Sequence, residues 1–160
     1  MGWRVRLRTG LVGYALSMKK TAMITAATAM TLFVVTPASA DPGTYRLVSP
    51  AGGCVDSDTA MLGDCTADTS LWTVQSRQGL ITVTANGNAL TSVGDGAVAT
   101  VPQDGTDAQA WTKAPFGPDR YTLTDANGDQ LTNMGDGSLS VTTPSGGDDQ
   151  VWELVSSPMG

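Results

Sequence analysis

The chain has 160 residues, with fifteen acidic side chains against nine basic ones and no histidine. A net charge of −6 argues against partners held by phosphate backbones or anionic lipid headgroups. Two cysteines without a histidine leave no zinc set, and catalysis through an imidazole is excluded.

Taken in order, the chain opens with Met1 to Ser17, which carries Arg4, Arg6 and Arg8. Met18-Lys19-Lys20 is a complete basic beginning by itself and reads as the true start. Thr21 to Thr36 is mostly small and apolar, densest at Leu32-Phe33-Val34-Val35. Pro37-Ala38-Ser39-Ala40 supplies the small residues of a signal-peptidase site, so residues 1–40 are expected to be an export signal cleaved after Ala40. Threonines interrupt the apolar run and a proline ends it, against a stable membrane span.

The expected mature chain, residues 41–160, has the length of one domain. It holds all fifteen acids but only Arg46, Arg77, Lys113 and Arg120 as cations, a net charge of about −11. Fourteen of the acids are Asp, which favours turns, and one is Glu, which favours helix. Cys54 and Cys65 both lie in the exported part, where a lone pair reads as one disulfide. Closing a loop of that size adds about 2–3 kcal/mol in the chain-entropy model.

Thr44 to Val48 alternates and is rich in strand formers, and Ser49-Pro50-Ala51-Gly52-Gly53 is a turn. Short extended pieces follow at Cys54-Val55-Asp56, Met61 to Cys65 and Leu71 to Val74. A second set begins at Leu80 to Thr84, turns at Asn86-Gly87, and continues through Ala89 to Thr91, Val98 to Val101 and Gln109 to Thr112. Sliding the chain by 41 residues carries Asn86-Gly87 onto Asn127-Gly128, Leu90-Thr91 onto Leu131-Thr132 and Gly94-Asp95-Gly96 onto Gly135-Asp136-Gly137. The same slide carries Gly105, Asp107, Gln109 and Trp111 onto Gly146, Asp148, Gln150 and Trp152. Internal duplication produces such coincidences. Three units of four short strands, ending at Trp72, Trp111 and Trp152, predict a closed all-β architecture with those tryptophans in the core.

The Gln-x-Trp endings, the Cys-Val-Asp of the first unit and the threefold repetition resemble the ricin-B-type β-trefoil across residues 41–160. That resemblance implies one β-trefoil domain and a carbohydrate-binding module. In the family a repeat binds sugar through an Asp on the Cys-x-Asp strand, an aromatic platform and a polar residue shortly before the Trp. Asp56 matches the carboxylate. Gly63 stands where the ring is expected, and Thr69-Ser70 replaces the usual amides. Thr91 and Thr132 occupy the Asp position in the other units, so at most one sugar site is expected. Gln109 and Gln150 are expected to serve hydrogen bonding inside their own units.

Phe116, in Ala114-Pro115-Phe116-Gly117-Pro118, is the aromatic that neither a first strand nor a repeat ending accounts for, and is a second ligand candidate. Thr124 to Asp129 resembles the start of a calcium loop, but Gln130 stands where such loops need Gly, so no metal or other cofactor is expected. No carboxylate pair is singled out for glycoside hydrolysis. The chain is therefore expected to be a secreted, monomeric, non-catalytic binder of a glycan. A second resemblance, to β-trefoil serine protease inhibitors, implies an extracellular protease as partner, with Arg77, Lys113 and Arg120 as inhibitory-loop candidates.

Overall fold

The computed structural model describes residues 43–157. The predicted signal segment and its cleavage site lie outside the described residues.

Twelve strands follow one another: β1 (Gly43–Val48), β2 (Cys54–Val55), β3 (Leu62–Gly63), β4 (Trp72–Arg77), β5 (Leu80–Ala85), β6 (Asn88–Gly94), β7 (Ala97–Pro102), β8 (Trp111–Pro115), β9 (Arg120–Thr124), β10 (Gln130–Asn133), β11 (Leu139–Thr142) and β12 (Trp152–Ser156). Six of them close a ring. β1 pairs with β4, β4 with β5, β5 with β8, β8 with β9, β9 with β12, and β12 returns to β1, all antiparallel. Closure leaves this ring without a free edge. The remaining strands form three hairpins, β2–β3, β6–β7 and β10–β11. These touch one another: Ser140 on β11 pairs with Ala97 on β7, and the Leu62 amide donates to the Gly137 carbonyl.

Alternation places Leu47, Val74, Val83 and Leu123 inward from the ring and Val55, Leu90 and Leu131 inward from the hairpins. Trp72, Trp111 and Trp152, each the first residue of its strand, complete this core and are essentially inaccessible to solvent. Each indole N–H donates to the carbonyl of a hairpin residue: Trp72 to Val55 at 2.8 Å, Trp111 to Leu90 at 3.0 Å and Trp152 to Leu131 at 2.9 Å. The buried donor is satisfied, and the same bond ties hairpin to ring.

The sequence placed Leu71 and Gln109-Ala110 in strands. The residues ahead of each Trp instead make one turn of 3-10 helix, at Asp68–Ser70, Asp107–Gln109 and Asp148–Gln150. The chain must reverse there for the glutamine to reach back. Gln109 Oε1 accepts from the amides of Asp104 and Gly105, and its Nε2 donates to the Pro102 carbonyl. Gln150 likewise takes the Ser145 amide and gives to the Thr143 carbonyl. The first segment has Ser70 in this place; its hydroxyl donates to the carbonyls of Ala67 and Cys65 and accepts from Arg46 Nε, but is too short to span the loop as an amide does. There the disulfide Cys54–Cys65, with Cα atoms 4.9 Å apart, holds the loop in place of an amide.

Asn86 and Gly87 both adopt positive φ, as the hairpin reading requires. The Asn127-Gly128 turn differs, with Asn127 at negative φ and the loop running from 125 to 129. Strand register explains it. Trp111 opposes Ile81 but Trp152 opposes Tyr121, an offset of 40 residues in the first strand, whereas the turn onward keeps 41. The extra residue is absorbed in the turn, where Asp125 Oδ1 accepts the amides of Asn127 and Asp129.

A set of buried polar residues joins consecutive segments. Two positions past each carbonyl that receives an indole N–H stand Ser57, Ser92 and Asn133, all buried. Ser92 Oγ donates to Asp125 Oδ2 at 2.7 Å, and Asn133 Nδ2 to Ser49 Oγ at 3.0 Å. Asp125 and Ser49 each lie four positions beyond the residue that opposes a Trp, and the matching position in the remaining segment is Ala85. Ala85 offers no side-chain acceptor, and the Ser57 hydroxyl is buried without a partner. Asn133→Ala, which removes the side-chain donor to the buried Ser49 hydroxyl, is expected to cost about 1–3 kcal/mol. Ser57→Ala, which removes an unpaired hydroxyl, is expected to be neutral or mildly stabilising. Equilibrium denaturant unfolding of the two variants checks this, and equal losses would refute it.

Candidate functional site

The sequence-derived candidates fall in three places. Asp56 follows β2 directly, Arg77 ends β4, and Lys113, Phe116 and Arg120 share the β8–β9 hairpin.

Asp56 is partly exposed and firmly held. Its Oδ1 accepts the amide of Asp58 at 2.9 Å, the amide of Thr59 at 3.0 Å and the Thr59 hydroxyl at 3.0 Å. Its Oδ2 accepts the Thr69 hydroxyl at 2.5 Å. The Thr69 bond, followed by those from Thr59 and Asp58, holds the carboxyl below its ordinary range against the opposing push of burial. The group is therefore a fixed carboxylate with acceptor capacity remaining on Oδ2. Gly63, paired with Cys54 across the hairpin, lies alongside. A Cβ on Gly63 would sit 3.7 Å from the Asp56 Cβ and 4.0 Å from Oδ2, in ordinary contact. Gly63 is exposed, so the place beside the carboxylate where the resemblance expected a ring stands bare. Thr69, read from sequence only as a replacement for an amide, is the residue that orients the carboxylate.

The matching positions elsewhere carry no such group. The Thr91 hydroxyl donates to its neighbour's carbonyl at Ala89 and is buried. The Thr132 hydroxyl donates to the Gln130 carbonyl and meets Thr142 and Gln150 in a closed network. Gln109 and Gln150 are themselves buried, as expected of residues that serve their own loops.

Phe116 is 39% exposed at the β8–β9 turn, where its amide donates to the Arg120 carbonyl. The two cations of this hairpin are committed. Lys113 Nζ lies 4.4 Å from the centroid of the Tyr121 ring, and Arg120 Nε is 3.1 Å from Glu153 Oε1. Arg77 opposes Leu80 across a two-residue turn, with Gln78 and Gly79 both at positive φ. That turn is tight rather than an extended loop of the kind a protease cleft accepts. Asp125, considered from sequence as part of a calcium loop, has both oxygens engaged by hydrogen bonds. Burial pushes its carboxyl up, but Ser92 and the Asp129 and Asn127 amides outweigh that, and the net direction is down.

No protein-family model and no curated protein sequence matches the chain. Solved structures do. The designed 3-fold symmetric protein ThreeFoil is 27% identical, with 71% of this chain and 98% of that one covered at a TM-score of 0.63. SeviL, solved bound to asialo-GM1 saccharide, is 18% identical over 71% of this chain and 96% of its own, at a TM-score of 0.62. The BEL β-trefoil is 18% identical over 72% and 93%, at a TM-score of 0.61. The closed all-β sheet described above is thus similar to β-trefoil lectins in fold, which is the ricin-B-like resemblance that the sequence carried.

Proposed function

We propose that residues 41–160 form an exported, non-catalytic β-trefoil module of three repeats, ending at Trp72, Trp111 and Trp152, that binds carbohydrate through its first repeat. The observation that carries this reading is Asp56: a carboxylate fixed by four hydrogen bonds, partly exposed, beside the exposed Gly63. A fixed carboxylate with acceptor capacity left on Oδ2 can accept from a sugar hydroxyl without losing further side-chain freedom. The buried threonines at the same place in the other repeats support a single site, and the likeness to SeviL supports a glycan as the ligand class. Without an aromatic ring to stack on the sugar, the affinity of this site is expected to be low.

A glycan array probed with the purified protein tests the reading, followed by titration of the best ligand. Asp56→Asn keeps the shape and removes the charge, and is expected to weaken binding by about 1–2 kcal/mol while the fold is retained. Thr91→Ala should leave binding unchanged. If no glycan responds, or if Asp56→Asn binds as well as the parent, the reading fails.

Gly63 sits at negative φ with room for a side chain. Gly63→Tyr is therefore expected to install the missing platform and to tighten binding of the same glycan by about 0.5–1.5 kcal/mol. Calorimetry on the parent and variant decides it; weaker binding by a folded variant would count against a sugar lying over Asp56.

Export is tested separately. Amino-terminal sequencing of protein recovered from culture medium should begin Asp41-Pro42-Gly43, and a start at Met18 or earlier would overturn cleavage after Ala40.

A further inference from the structure

A second opening lies away from Asp56. The β4–β5 hairpin forms one wall and the segment from Gln103 to Ala110 the other, around a groove of about 470 Å³. Arg77 and Gln75 line the first wall, Gln103, Thr106 and Asp107 line the second, and Leu80 is among its apolar contacts. None of Asp56, Gly63 or Thr69 reaches it. A smaller recess of about 130 Å³ shares Leu80, Asp107 and Ala110 with it and runs on to Ala126.

Both walls are stiff for local reasons. The hairpin is a two-residue turn with its register set by five pairs, from Thr73 opposite Thr84 to Arg77 opposite Leu80. The facing segment is clamped by Gln109, which holds the Asp104 and Gly105 amides, and by Asp104, which accepts the Thr106 amide and hydroxyl. A groove built this way needs little ordering when it binds.

Its charge is unusual for this molecule. The described residues carry four cations. Arg46 bonds Ser70 and Ser157, Lys113 lies over Tyr121, and Arg120 pairs with Glu153. Arg77 makes no hydrogen bond or ion pair among the described residues, and it faces the groove. Position by position from the Trp, its counterparts are Phe116 and Ser157, so the cation belongs to this groove and not to the other two segment junctions.

We infer that this groove binds an acidic saccharide, with the carboxylate of a uronic-acid-type sugar on Arg77 and its hydroxyls on Gln75, Gln103, Thr106 and Asp107. The planar guanidinium matches a carboxylate in a two-bond fork. The amides and hydroxyls offer the mixed donors and acceptors that a sugar's hydroxyls need, and Asp107 can only accept, which suits a hydroxyl and repels a second anionic group. The side chain of Leu80 suits the C–H face of a pyranose. A groove lined by one cation, in a chain expected to carry a net charge near −11 once matured, favours a ligand with a single negative charge per sugar over a polysulfated chain.

This site is independent of the one at Asp56, and one experiment separates them. Glucuronate and galacturonate are titrated into the isotopically labelled protein, with glucose and galactose as neutral partners of the same shape and acetate as the carboxylate alone. The amides of Arg77, Gly79, Gly105 and Thr106 report the groove by nuclear magnetic resonance. The uronates should shift these amides and bind about tenfold tighter than the neutral sugars or acetate. Arg77→Gln should erase that preference, Arg77→Lys should retain part of it, and Asp56→Asn should leave it intact. Equal binding of uronate and neutral sugar, acetate binding as well as uronate, an unchanged preference in Arg77→Gln, or no shift at tens of millimolar uronate would each overturn the inference.

Discussion

Three buried indole N–H groups are the constraint on which the rest of this structure depends. A donor taken out of water and left unpaired costs about 1–3 kcal/mol, so each Trp must meet an acceptor inside the core. Here the acceptors are the carbonyls of Val55, Leu90 and Leu131, one on each hairpin. The bond therefore does two things: it satisfies the donor, and it sets where each hairpin lies against the ring. Once that carbonyl is placed, the side chain two positions on is directed to the next segment, and Ser92 and Asn133 find Asp125 and Ser49 there. The same geometry carries Ser57 into a buried place with no partner. Backbone equivalence is kept at all three positions while side-chain chemistry has drifted at one.

The loop ahead of each Trp shows two solutions to one problem. It carries several amides and carbonyls that no strand ladder satisfies. In the second and third segments a buried glutamine supplies both acceptor and donor to it. In the first, Ser70 is too short to do so, and Cys65 is tied covalently to β2 instead. The exchange has a functional consequence. With the disulfide holding the loop, Thr69 turns its hydroxyl to Asp56, and the carboxylate acquires the fourth hydrogen bond that fixes it. The segment that departs most from the repeat pattern is thus the one with a fixed, partly exposed carboxylate after its Val.

Charge distribution limits what such a surface can bind. With fourteen acids and four cations, the described residues present a negative field in most directions, and salt at physiological strength screens it only beyond about 8 Å. Three of the cations are drawn into internal contacts that hold strands and turns together. A neutral ligand rich in hydroxyls meets no electrostatic barrier on such a surface, since carboxylates accept from hydroxyls. Among the described residues Arg77, on a wall of the groove between the first two segments, is the cation with no hydrogen bond, ion pair or ring contact.

Much of the fold was legible in the residues themselves. Alternation from Thr44 to Val48, glycine-marked turns, the paired cysteines and the recurrence of Asp-x-Gln-x-Trp pointed to a closed all-β module because each is a local consequence of backbone preference and burial. Asp56 was legible for the same reason, through its fixed place after Cys54-Val55. What the tertiary structure decided lies between segments. The 3-10 turns before each Trp form where Gln109, Gln150 and, in the first segment, Ser70 turn back into the loop ahead of them. The register offset of 40 before the Asp125 turn depends on which residue opposes each Trp. The partnership of Thr69 with Asp56, the isolation of Ser57, and the freedom of Arg77 against the commitment of Arg120 and Lys113 all depend on residues distant in the chain. Local sequence carries periodicity and turn chemistry, which are properties of a few consecutive residues. Whether a polar side chain is satisfied, and whether a cation is free, is a property of neighbours that only folding brings together.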